Sequence, residues 1–109
     1  MRLVNLTPHD IHIIVDGTSL TIPKTGDLAR AKEEVFNEGC IEVEGLQVPV
    51  VRKEFGEIIN LPAPEEGTIY IVSAIVATAA NRDDVVCPGN PVRDESGNII
   101  GCAALCKVG

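Results

Sequence analysis

Three short stretches concentrate the side chains that could do chemistry. The first, NLTPHDIHI at residues 5–13, sets Asn5, Thr7, His9, Asp10 and His12 around Pro8, just ahead of an apolar run. An imidazole there can serve as a hydrogen-bonding or acid-base group near neutral pH. A Thr-Pro-His-Asp turn can also spend the same groups on its own backbone. If residues 9–12 are extended, His9 and His12 point to opposite faces and make a poor metal pair. The second stretch, PKTGDLARAK, offers Lys24, Thr25 and Gly26 as a loop able to hold a phosphate, with Arg30 following. It lacks the GxxxxGK[ST] pattern of a P-loop. The third, NRDDVVCPGNPVRDESG, alternates Arg82, Asp83, Asp84, Arg93 and Asp94 within a Pro- and Gly-rich connection. Arginine beside aspartate suits a polar ligand carrying both phosphate and hydroxyl groups, and it equally suits a network that pins a loop.

Catalysis needs more than these residue types. Ser73 stands between a strand-like and a helix-like segment, as a nucleophilic serine can, but IVSAI lacks the glycines of GxSxG, and a helix-capping role accounts for the residue. Asp83 and Asp84 could ligate a divalent metal beside a phosphate with His9 as base, a phosphohydrolase-like arrangement. Neighbouring carboxylates on a strand point apart, so the pair converges only in a turn. Cys40, Cys87, Cys102 and Cys106 form no CxxC pair, which favours buried thiols over structural zinc. No cofactor is expected, and no metal ligands are assigned.

The elements that must position these groups are mostly strands. Ile11, Ile13 and Val15 alternate with His12 and Ile14, Asp16-Gly17 turns the chain, and Leu20 and Ile22 return. A second hairpin runs through Ile41 and Val43, turns at Gly45, and returns along Leu46, Val48 and Val50 with an acidic outer face. A third spans VRDESGNIIGCAALC, with Asp94–Asn98 as its loop and a strand from Ile99 that reads as buried on both faces. LARAKEEVFNEG is ambiguous: Ala, Lys and Glu favour helix, yet no apolar stripe runs through it. GTIYIV reads as a strand, after which Ser73 caps a short apolar helix, AIVATAAN, that needs burial. The expected fold is therefore mainly β, of the α+β kind: one small domain over residues 1–109, an antiparallel sheet or barrel of hairpins with one short buried helix.

Charge narrows the partners. The chain has 109 residues and a formal charge of −7. Residues 33–66 hold nine acidic groups against Arg52 and Lys53, so all the excess negative charge lies there. That balance opposes long nucleic acid and anionic membrane surfaces. No apolar run is long enough to span a bilayer, and MRLVNLTPHD lacks the apolar middle of a signal peptide, so a cytoplasmic protein is expected. A chain this small gains stability by assembling, which makes a homo-oligomer the natural expectation.

NLTPHDI, GTIYIVS followed by RDD and PG, and VRD with GNIIGC together resemble a family of small, uncharacterised phage and bacterial proteins. The resemblance covers both ends of the chain, leaves residues 31–55 without a pattern, and carries over no catalytic residues. In size and phage setting, with no shared motif, the chain is also similar to small viral proteins that sequester nucleotide second messengers of bacterial immunity. The leading expectation is a non-catalytic binder of a small nucleotide-like ligand, as a phage anti-defence sponge would be. In it Arg30, Arg82 and Arg93 hold phosphates, Asn5, Thr7, His9, Asp83 and Asp84 read ribose or base, and Lys24, Thr25 and Ser73 complete a site near a subunit interface. The alternative is a structural or protein-interaction module, such as a virion or inhibitor protein, that uses the acidic hairpin as its contact surface.

Overall fold

The computed structural model describes residues 1–108. The elements in chain order are β1 (Arg2–Asn5), β2 (Ile11–Val15), β3 (Thr18–Ile22), β4 (Arg30–Val43), β5 (Leu46–Ile59), β6 (Thr68–Ile71), α1 (Ala74–Ala80), β7 (Val85–Arg93) and β8 (Ile99–Cys106). Six strands form one curled sheet in the order β1-β6-β7-β8-β2-β3, and β4 and β5 pair only with each other. The fold is thus mainly β with one short helix, in a single small domain.

Local chemistry explains most of these elements. Asp16 and Gly17, and again Glu44 and Gly45, all take positive φ, the requirement of the two-residue turns whose twist matches antiparallel strands. They close the β2–β3 and β4–β5 hairpins. LARAKEEVFNEG resolves as strand. Its helix-favouring Ala, Lys and Glu are overridden by a ladder against residues 46–59, and the Asn37 side chain accepts from Gly39 N at 2.8 Å to shape a bulge where Gly39 has φ +104°. Ser73 caps α1 by accepting from Val76 N, and Asn81 ends the helix in the left-handed conformation.

The sheet is mixed. β7–β8 and β2–β3 are antiparallel hairpin pairs, while β1–β6, β6–β7 and β2–β8 are parallel. The short α1 serves as the crossover between β6 and β7. β6 is the strand buried on both faces, with Thr68, Tyr70 and Ile71 all shielded, as a central parallel strand should be. β8 departs from that expectation at its start: Ile99 and Ile100 are exposed and Cys102 is its buried residue.

One core serves the domain. Leu6, Ala29, Tyr70, Val72, Val76, Ala77, Val85 and Cys87 pack together, with Ala31 and Ile58 from the foot of the β4–β5 hairpin against them. Burial holds for Cys87 and Cys102, and fails for Cys40, which is exposed along the hairpin. The rest of that hairpin leaves the core. Each strand has 14 residues, a reach of roughly 45 Å at about 3.3 Å per residue. The radius of gyration is accordingly 17.6 Å, against roughly 13 Å for a compact chain of this length. Among the described residues no helix is long and apolar enough to cross a membrane.

Candidate functional site

Asn5 is the centre of the first cluster. It ends β1, is fully buried, and its amide donates to the carbonyls of His9 at 2.8 Å and Ile22 at 3.0 Å. Its Oδ1 accepts from Thr7 N at 2.9 Å and from the Thr7 hydroxyl at 2.6 Å. Every buried side-chain polar atom among the described residues has a partner. The second cluster joins the first. Thr25 Oγ1 donates to the Asn5 carbonyl at 3.0 Å, and Lys24 N donates to Asp10 Oδ1 at 2.9 Å. Residues 5–10 and 22–29 are therefore one stitched unit, to which Ala29 N adds a bond to the Leu6 carbonyl at 3.1 Å.

That unit presents a polar rim. Residues 7–9 bend and the strand begins only at Ile11, so the alternation expected of residues 9–12 does not apply. His9 and His12 consequently line the same groove, together with Asp10, Ile11, Pro88, Ile99, Ile100, Gly101 and Cys102, in a volume of about 340 Å³. That is within the lower range of small-molecule sites. Two imidazoles and a carboxylate stand at the edge of an aliphatic floor, and the His12 Nδ1 lies 2.9 Å from the Thr21 hydroxyl. Gly101 is part of this floor because β8 passes so close to β2 that a Cβ there would stand 2.7 Å from the His12 carbonyl oxygen. The sequence weighed His12 only as a metal partner for His9, and it showed Gly101 only as part of GNIIGC.

The third cluster lies elsewhere and is engaged with itself. Arg82 grips Asp84 through Nε at 2.9 Å and Nη2 at 2.5 Å, and Nη1 donates to the Pro62 carbonyl at 3.0 Å. This charge-assisted fork holds the Asp84 carboxyl below the usual carboxylate range and raises the guanidinium. Arg93 donates to the Gly97 carbonyl at 2.9 Å, and Asp94 accepts from Ser96 N and Asn98 N, shaping the β7–β8 turn. Those backbone bonds keep the Asp94 carboxyl below its ordinary range. Arg82 faces a separate depression with Ile58, Leu61, Ala79 and Ala80. Asp83 is an exposed turn residue, Arg30 is exposed at the start of β4, and Ser73 Oγ is the helix cap. Asn5, Thr7, His9, Lys24 and Thr25 thus come together, whereas Arg30, Ser73, Arg82, Asp83, Asp84 and Arg93 do not join them. Among the described residues no three His, Cys, Asp or Glu side chains converge as metal ligands.

The β4–β5 arm is a second candidate surface: the sequence marked its acidic solvent face and the alternating apolar face from Ile41 to Val50, but that apolar face stands exposed, because the core reaches only the foot of the arm. Register and alternation put Ile41, Val43, Leu46, Val48 and Val50 on one face of its outer half. Ile41, Val43 and Leu46 are each more than half exposed, at 57%, 52% and 66%. Further down that face Arg52 stacks 4.7 Å over the Phe36 ring and pairs with Glu38 and Glu54. The opposite face carries Glu42 and Gln47 near the tip, then Val35, Val51 and Phe55, with Lys53 held to Glu33 at 3.2 Å. Phe55 also walls a groove of about 450 Å³ with Ala74, Ile75, Thr78 and Ala79 of α1. No family model matches the chain, and neither a curated protein nor a solved structure matches it.

Proposed function

We propose that this chain is a protein-interaction module of the structural kind, and that the β4–β5 arm makes its contact. One observation carries the reading: a two-stranded ribbon bearing exposed apolar side chains on both faces. A lone two-stranded ribbon is marginally stable in water, and apolar area of this extent marks an interaction surface. The test is a photo-crosslinking residue at Leu46, exposed to purified protein and to cell extract. A protein adduct, to this chain or to another, supports the reading. Absence of any adduct at every concentration overturns it.

A second reading, binding of a small polar, nucleotide-like ligand, is favoured by a different observation. The buried Asn5–Thr7 network fixes the turn that carries His9 and Asp10 at the rim of the groove above β8. Rigidly supported polar groups over an apolar floor are what such a site requires. A base could lie on Pro88 and Cys102, with ribose hydroxyls on Asp10 and phosphate near the imidazoles. A sponge for a nucleotide immune signal falls within this class. Native mass spectrometry after exposure to an infected-cell extract tests it: the expected result is a nucleotide-sized adduct that His9→Ala and Asp10→Ala lose and Arg82→Ala retains. An apo spectrum from every extract rules this reading out.

A further inference from the structure

Cys87 and Cys106 are direct partners in the antiparallel β7–β8 ladder. Cys87 belongs to the hydrophobic core and Cys106 packs against that same core, which puts the two side chains on one face of the sheet. Facing residues of an antiparallel pair have Cα atoms about 4.5 or 5.5 Å apart, and either spacing falls within the roughly 4.4–6.8 Å that a disulfide spans. The other thiols are out of range. Cys102 pairs with Pro91, roughly 13 Å along β8 from Cys106 at about 3.3 Å per residue, and Cys40 stands on the arm. We propose that Cys87 and Cys106 form a reversible thiol–disulfide site, reduced in this structure and oxidised by a small disulfide such as glutathione disulfide, whose bond latches β8 onto the sheet. The inference is independent of both readings above.

Exposure orders the chemistry. Cys106 is half-buried and Cys87 only 5% exposed, and burial, with the Cys106 sulfur as a lesser cause, pushes the Cys87 thiol up. The Cys106 thiolate therefore meets the oxidant first: it attacks one sulfur of glutathione disulfide, that S–S bond breaks, and a glutathione thiolate leaves with the electron pair. The Cys87 sulfur, as its proton departs, then attacks Cys106 in the mixed disulfide and releases the second glutathione thiolate. Two protein thiols and one glutathione disulfide become one protein disulfide and two glutathione thiols, which take up the two protons. Gly89 supplies the room. It is two positions from Cys87 on the same face of β7, and a Cβ there would collide with the Cys106 sulfur, which rests in the space that glycine leaves. Rotation about the Cys106 Cα–Cβ bond to another staggered position carries the sulfur from Gly89 toward Cys87. Because β8 also pairs with β2, at Cys102 and Ile13, a bond at Cys106 secures the strand on which the β2–β3 hairpin docks.

The test is intact-mass and peptide analysis of the full chain after incubation with glutathione disulfide, in a Cys40→Ser background that removes the exposed thiol of the arm, with circular dichroism to verify that each variant is folded. The expected product has lost two hydrogens, contains a peptide joining Cys87 to Cys106, and returns to the starting mass with excess dithiothreitol. Its thermal midpoint is about 10 °C higher than that of the reduced form, since the bond closes the loop from residue 87 to residue 106 and restricts the unfolded chain. Cys87→Ala stops at one glutathione held on Cys106, whereas Cys106→Ser reacts at Cys87 at least about tenfold more slowly. Should the core substitution at Cys87 unfold the chain, Cys106→Ser alone decides, because its change lies at the half-buried partner. Two thiols that stay reduced in the folded protein, a link that joins Cys102 instead, a link that forms only in urea, or an oxidised form with an unchanged thermal midpoint overturns the proposal.

Discussion

Arg82 donates to Asp84 through two nitrogens and to the Pro62 carbonyl through a third, so the side chain ties the connection before β6 to the turn before β7. Removing it leaves Asp84, whose side chain is only 20% exposed, without its countercharge. Arg82→Ala should lower stability by about 1–2 kcal/mol, read as a lower urea midpoint. The pH dependence has a definite sign. Because the folded-state pKa of Asp84 is depressed, the pair's contribution is present above the ordinary aspartate pKa and is lost as pH falls through the lowered value. Urea midpoints followed from neutral into acid should therefore fall less steeply in Arg82→Ala than in the wild type. Asn5 is the more critical residue, since its buried amide donates to the carbonyls of both His9 and Ile22, the first of which the Thr7 hydroxyl also reaches at 2.9 Å. Asn5→Ala should cost about 3 kcal/mol and loosen the turn carrying His9, visible as faster amide exchange over residues 7–12.

Elements with local signatures were legible from sequence. Asp16-Gly17 and Gly45 announce turns, and Ser73 before AIVATAA announces a capped helix; all three form, with Glu44 also drawn into positive φ. What sequence withholds is contact between distant segments. The helix-forming bias of Ala31, Lys32, Glu33 and Glu34 is defeated by a partner strand that begins beyond residue 45. The parallel pairings of β1 with β6 and β2 with β8 leave no local mark at all. The candidate site follows the same rule. His9 and Asp10 stood out by residue type, yet their support by Ile22, Lys24 and Thr25, and the separation of the Arg82 cluster from them, depend on how the sheet closes. Gly101 shows the constraint acting on an element: a methyl there meets β2 backbone, which cannot swing aside as a side chain can. Gly101→Ala should force β8 from β2 and destabilise by about 2–3 kcal/mol, measurable as a lowered thermal midpoint.

At the scale of the molecule, a small curled sheet carries an arm that extends its longest dimension to 54 Å. The core reaches only the arm's foot, so the outer ladder is held by its own hydrogen bonds and cross-strand pairs. Hydrogen exchange should find amides of residues 34–43 and 46–54 poorly protected. Amides of β6 and β7 should stay protected throughout. The order of strands in the sheet also bears on how the chain is made. β2 and β3 precede the arm in the chain, but among the described residues the strand whose ladder joins them to the sheet is β8, at residues 99–106, made after the arm. The nascent hairpin must wait, with an unpaired edge, while the apolar arm is synthesised between it and its eventual neighbour. The glutamates concentrated in that interval set like charges beside its exposed apolar residues, the pattern by which gatekeeper residues keep unfinished copies of a chain apart.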